Sequence, residues 1–173
     1  MPYAASLEYA LHAILHLGGL PSGSVLSRED LARFLGLAPS YVAKVLQQLT
    51  KAGLVHGRRG PHGGYRLARP LSAISFWDVI EAVQGHGAIF HCQEIRGRCV
   101  VFRDHPEWRL RGRCEIHTVM LDAESKMRTV LRRNSLARVQ RRLQTKLPRT
   151  QRDAIDAWLA GAASEPVVPT ATA

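Results

Sequence analysis

Apolar residues near the start of the chain recur at helical spacing. Leu7, Ala10, Leu11, Ile14 and Leu15 fall at i, i+3, i+4, i+7 and i+8, one face of an amphipathic helix. Ser6 is placed as its N-cap, and Gly18-Gly19 with Pro21 end it. Ser27 opens a second helix, with Asp30 three residues on in a variant capping box. Leu31, Phe34 and Leu35 make its apolar side, and Gly36 breaks it. A third helix starts at Ser40, just after Pro39. Val42, Val45, Leu46 and Leu49 point inward, leaving Tyr41, Lys44, Gln47, Gln48 and Lys51 on other faces. Gly53 stands where a left-handed cap is expected. Two helices around a glycine turn, the second with a free polar face, form the helix-turn-helix pattern.

The period then changes. Leu54 to Ala68 reads as two short strands around a turn rich in Gly and Pro. No acid occurs between Leu54 and Trp77, while Arg58, Arg59, Arg66 and Arg69 do. A basic hairpin directly after a helix-turn-helix is the wing of a winged helix, and an Arg at its tip suits a narrow minor groove. Ile74, Trp77, Ile80 and Val83 mark a fourth helix ending at Gly85. Residues 91–113 lack periodicity. Ile116, Val119, Met120, Ala123, Met127, Val130 and Leu131 then recur near a 3.5-residue period. A domain this small needs no helix so long for its own core, so it reads as a dimer seam. Residues 154–162 suggest one more short helix, and 164–173 a mobile tail.

The fold class is therefore mainly α, a winged helix-turn-helix followed by a long dimerisation helix. The expected organisation is a DNA-binding unit over 1–85 and a loop over 86–113. The dimer helix and its following segment take 114–147, and a C-terminal helix 148–163.

Charge narrows the partner. Lys and Arg number 24 against 14 Asp and Glu, a net +10 over 173 residues. A chain this basic calls for an anionic partner such as nucleic acid. Residues 126–152 alone hold ten Lys or Arg and no acid, read as a solvated helix face. No apolar run reaches the roughly 18 residues of a membrane span. The N-terminal stretch carries Glu8, His12 and His16 without a basic leader, so a cytoplasmic protein is expected. His16 continues the stripe of an exposed polar face. A Ser-His-Asp order, a Walker loop and a dinucleotide fingerprint are all missing, so no enzyme is expected.

Three cysteines cannot close a disulfide framework. Cys92, Cys99 and Cys114 fall within 23 residues, which in a reducing compartment favours metal ligation or thiol chemistry. Glu8 and His12, at i and i+4, project from one side of a helix, as either a surface ion pair or a ligand pair. A Cys₃His zinc site with His117 and a clusterless thiol switch are the chemical alternatives.

Leu7-Glu8-Tyr9-Ala10-Leu11, Ser40-Tyr41-Val42-Ala43-Lys44, Ala52-Gly53-Leu54-Val55 and Arg59-Gly60-Pro61-His62-Gly63-Gly64-Tyr65-Arg66-Leu67-Ala68 resemble the Rrf2 family of bacterial transcription regulators. Ile74 to Gly85 resembles that family's next segment, and the similarity runs from about residue 1 to 140. The resemblance implies a winged-helix homodimer on a pseudo-palindromic double-stranded operator. Ser40, Tyr41, Lys44 and Gln48 would then enter the major groove, with Arg58, Arg59 and His62 near phosphate or the minor groove. It also implies an iron–sulfur cluster on cysteines of the loop before the dimer helix, here Cys92, Cys99 and Cys114. Cys114-Glu115-Ile116-His117 is similar to the Cys-x-x-His of IscR-like members, making His117 an alternative fourth ligand. Residues 90–96 and the Glu8/His12 pair are similar to the redox-sensing RsrR branch. There a carboxylate and a histidine from the partner's first helix resemble ligands of a 2Fe–2S cluster. That nuclearity is favoured here over 4Fe–4S, and the implied signal is redox state, nitric oxide or iron supply. Arg103 to Arg113 looks like an insertion. Ala43 stands where some members carry a base-reading acid, so no operator sequence is implied.

Overall fold

The computed structural model describes residues 5–100, 105, 107 and 112–164. Seven α-helices and one two-stranded sheet lie among them: α1 (Ala5–Leu17), α2 (Arg28–Leu35), α3 (Pro39–Lys51), β1 (Val55–Arg58), β2 (Gly64–Leu67), α4 (Phe76–Gln84), α5 (Glu115–Arg133), α6 (Leu136–Lys146) and α7 (Arg149–Ala162). The stretch expected to be a tail lies, from residue 165 on, outside the described residues, as does most of the insertion.

α1 is the central post. Leu7, Ala10, Ala13, Ile14 and Leu17 are buried, because α2, α3, α4, α6 and β2 all pack around it. With neighbours on several sides the buried stripe is wider than the expected face, and Leu11 and Leu15 end only half-buried. Ser6 lies inside the helix rather than at its cap. α3 begins at Pro39, one residue before the expected Ser40, since a first-turn proline gives up only an N–H that had no partner. Its inward residues are the predicted Val42, Val45, Leu46 and Leu49.

Ser27 caps α2 by accepting the Asp30 N–H at 3.0 Å, and the Ser27 hydroxyl donates to the Asp30 carboxylate at 2.6 Å. The full reciprocal capping box is at α4. There Ser75 Oγ accepts the Asp78 N–H at 3.2 Å and the Asp78 carboxylate accepts the Ser75 N–H at 2.7 Å. Burial opposes ionisation of Asp78. The Ser75 hydroxyl and N–H, then Arg69, outweigh it and hold the carboxyl below its usual range.

The long helix expected over Ile116–Leu131 is α5, which ends at Arg133. The chain leaves α5 at Asn134 and turns so that Ser135 bridges Ser75. Phe76 N–H donates to the Asn134 carbonyl at 3.1 Å, and Leu136 N–H to the Ile74 carbonyl at 2.8 Å. The turn drives Leu136 fully into the core. α6 therefore returns to α1. α7 docks through Leu159, which is buried. Beyond it, Ser164 pairs with Val25 on both backbone groups at 3.0 and 3.2 Å. Leu26 in turn pairs with Tyr65 of β2, so Val25–Leu26 forms a bridge between the wing and the C-terminal segment.

Candidate DNA-binding surface and cysteine cavity

The wing is built on two close backbone approaches. A Cβ at Gly63 would meet the Arg58 carbonyl oxygen at 2.4 Å, and one at Gly64 would meet the Leu26 carbonyl oxygen at 2.6 Å. The Gly63-Gly64 pair is thus a steric requirement of the turn and of the Leu26–Tyr65 bridge. β1 and β2 pair antiparallel from Val55 opposite Leu67 to Arg58 opposite Gly64. Arg58 Nη2 donates to the His62 carbonyl at 2.5 Å and braces the turn from within. Arg59 and His62 are exposed at the tip, and Arg66 is exposed on β2.

On α3, Ser40, Tyr41 and Lys44 are exposed. Gln48 differs: its amide donates to the Val83 carbonyl of α4 at 3.1 Å and is half-buried. The free face opposite the buried stripe instead carries Ser40, Lys44, Gln47 and Lys51, all exposed, at i, i+4, i+7 and i+11. Spacing alone holds that signal, since Gln47 and Lys51 sit farther than Gln48 from the stripe of Val45 and Leu49.

The cysteines are free and half-buried. Cys92, Cys99 and Cys114 line one cavity of about 320 Å³, together with Phe90, Ile95 and Arg96. A 3-10 turn at Ile95–Arg98 folds the loop back. Glu94, at φ 46°, is the one non-glycine residue in the left-handed region among the described residues. Its N–H donates to Cys92 Sγ at 3.4 Å, and its carboxylate accepts Arg96 Nε at 2.5 Å. Arg96 Nη2 reaches the Gly112 carbonyl at 3.2 Å, tying the far end of the loop to its start. The Arg96 guanidinium is held charged first by Glu94 and then by Cys114 and Cys92. Thiolates are the usual ligands of iron–sulfur iron, and a cation beside them offsets the charge of such a group, so this donor set fits a cluster.

Other predicted ligands lie elsewhere in this chain. Glu8 and His12 are exposed and line a different groove, with Leu7, Leu11, Phe76 and Val139. His117 turns toward Phe90, ring centroids 6.0 Å apart. Among the described residues no three His, Cys, Asp or Glu side chains converge closely enough to hold one metal ion. The Cys₃His zinc arrangement is therefore not preassembled.

His16 departs from the exposed face expected of it. Its ring packs 4.3 Å from that of Phe34. Burial, and then His12, lower its pKa to about 4, so the imidazole is neutral near pH 7.

The loop is fastened to α5 by one buried carboxylate. Glu124 accepts the Ile89 N–H at 3.0 Å and pairs with Arg128. Burial opposes its ionisation, but the Ile89 N–H and then Arg128 prevail and lower its pKa. Arg128 also donates to the Gly87 carbonyl at 3.1 Å and lies 4.7 Å over the Trp77 ring of α4. On the open side of α5, Ile116 is 68%, Val119 65% and Val130 59% exposed.

Residues 3–142 match the Rrf2 family, described as an iron-dependent transcriptional regulator. This chain belongs to the Rrf2 family. It is 30% identical over 143 residues to the putative HTH-type transcriptional regulator YwgB of Bacillus subtilis, covering 83% of this chain and 86% of the relative. It is 31% identical over 139 residues to the putative HTH-type regulator YffB of Lactococcus lactis, covering 80% and 86%. The fold is similar to that of T. potens IscR, with TM-score 0.62 at 21% identity over 86% of this chain and 93% of that one. It is also similar to CymR, named the global cysteine regulator of B. subtilis, with TM-score 0.50 at 24% identity over 64% and 89%. The winged helix and a mainly α fold are thereby established, and the chain is a DNA-binding transcriptional regulator of this family. No helix among the described residues is long and apolar enough to cross a membrane.

Proposed function

We propose that this regulator is a homodimer whose hold on a pseudo-palindromic operator is set by an iron–sulfur cluster. The observation that carries the reading is the single cavity shared by Cys92, Cys99 and Cys114, in a loop leading straight into the exposed apolar stripe of α5. That stripe is the dimer seam in this reading. Glu8 and His12 of the partner subunit complete the ligand set, as the RsrR-like resemblance implies, with 2Fe–2S favoured over 4Fe–4S. When bound, the cluster supplies a one-electron couple and a target for oxidants or nitric oxide.

The chain's own residues do the rest. Arg96 and Glu94 hold the cysteines facing one cavity. Glu124 and Arg128 fasten the start of the loop to α5 and to Trp77 in the core of the winged helix. A change at the cysteines is thereby passed to α4, on which α3 rests. Ser40, Tyr41, Lys44, Gln47 and Lys51 meet the major groove. Arg59 and His62 meet phosphate or the minor groove. Arg58 braces the turn and Gln48 fixes α3 on α4. In domain terms, residues 1–85 bind DNA, 86–113 form the sensing loop, 114–147 dimerise and 148–163 form the C-terminal helix.

Anaerobic purification followed by a visible spectrum and iron and sulfide assays tests this. The expected result is a brown protein with equal iron and sulfide, whose spectrum changes in Glu8→Ala and His12→Ala and collapses in Cys92→Ala. A colourless protein that stays iron-free after anaerobic reconstitution overturns the cluster and leaves the thiol-based regulator.

A further inference from the structure

The chain continues past residue 142, where the family match ends, and this extra segment walls a second cavity. The cavity measures about 320 Å³ and lies between the end of α1, α6 and α7. That is the lower range of small-molecule sites. Leu15, Leu143, Leu147, Ile155 and Leu159 make it mostly apolar. Gln140, Gln144, Asp156 and three further polar features break that lining. His16 sits on the α1 wall and is neutral. Arg149 faces Asp153 at 3.6 Å, so those two charges answer each other. Arg152 has no such answer among the described residues, and its Nε is buried without a hydrogen-bond partner. A guanidinium with a buried, unpaired Nε–H in a mostly apolar cleft is an anchor for a carboxylate. Asp156 lies on the same wall one turn on, which disfavours a ligand with a second negative charge.

We propose that this cleft binds a small organic monocarboxylate with a compact apolar body, its carboxylate on Arg152 and its body against Leu143, Leu147, Ile155 and Leu159. The site stands apart from the cysteine cavity, and it shares Leu15 and Leu143 with the Glu8–His12 groove. Its occupant would bear on α7, whose Trp158 ring lies 4.6 Å from Phe34 of the helix-turn-helix.

Isothermal titration of the full chain with hexanoate, hexanamide and inorganic phosphate tests the proposal. Wild type is expected to bind hexanoate at least about tenfold more tightly than hexanamide, the value of one charge-assisted bond, and to ignore phosphate. Arg152→Gln should erase that preference and keep hexanamide binding. Leu143→Trp, at a partly exposed position, should block both ligands, and it decides the matter if Arg152→Gln fails to fold. No binding of hexanoate by wild type overturns the site. So does equal affinity for the acid and the amide, phosphate binding as tight as hexanoate, or a folded Arg152→Gln that binds hexanoate unchanged.

Discussion

The winged helix and the cysteine loop are held by opposite means. Around α1, a closed set of Leu, Ile, Val and Ala side chains excludes water, and α2 and α4 start on their own side-chain caps. From Gly85 to Cys114 the described backbone is anchored by a few polar contacts: Glu124 and Arg128 at one end, Arg96 with Glu94 and Gly112 at the other. Ile95 and Val100 lie open to solvent, 72% and 68% exposed. Apolar packing is spread over many contacts and fixes a rigid reading surface. A segment hung on a few charged contacts is drawn from the low-stability end of the molecule. The sequence order keeps the two regions adjacent through α4.

The contrast can be broken by mutation. The largest effect is expected in the core, where Leu46→Ala should cost about 2–5 kcal/mol in urea denaturation. Ile95→Ala in the loop should cost less than about 0.5 kcal/mol. Similar costs at the two positions would erase the distinction.

Acid gives the next effect. The folded-state pKa of His16, about 4, lies below the ordinary 6.5, so the unfolded chain binds more protons between those values. Stability should be full above about pH 6.5 and fall as pH drops toward 4. The loss should be on the order of 2 kcal/mol, allowing for the ring's partial exposure. Denaturation midpoints at pH 7.5, 6.5 and 5.5 read it, and His16→Gln should flatten the profile. The acids Asp78 and Glu124, held below their usual range, add to the loss only at the acid end.

Removing the loop's anchor comes third. Glu124→Gln keeps the shape and loses the charge, at about 1.5 kcal/mol. Hydrogen exchange should speed up over 86–100 while α1–α4 stay protected. Uniform acceleration would mean the two regions open together. Smallest is Ser75→Ala, about 1 kcal/mol from the α4 cap, which should appear in the core's unfolding and not in loop exchange.

Periodicity exposed the winged helix because each side chain there answers to local spacing. Val42, Val45, Leu46 and Leu49 had to share a face, Gly53 takes the left-handed conformation expected of it, and Gly36 ends α2 in the same conformation. The Gly63-Gly64 pair was visible as a motif, but its reason, the carbonyls of Arg58 and Leu26, is a contact between segments. The same limit hid the path of the chain after α5. A 3.5-residue pattern cannot report that Leu136 is wanted by a core built some sixty residues earlier, around Ile74. His16 looked solvent-facing because the Phe34 ring that packs on it belongs to another helix, α2. Gln48 looked free because its acceptor belongs to α4. The cysteines were legible as a cluster of thiols. Arg96 among them was not, since its role depends on the return of the chain at Gly112.

The pairing of Val25 with Ser164 carries a consequence for how the molecule is made. Contacts between residues this far apart in sequence close late, after the entropy of the intervening chain has been given up. The hydrophobic centre around α1 can condense as the first 85 residues emerge from the ribosome. The strand segment beside the wing keeps an open hydrogen-bonding edge until the last described residue arrives. A nascent or truncated chain would therefore present that edge to other chains.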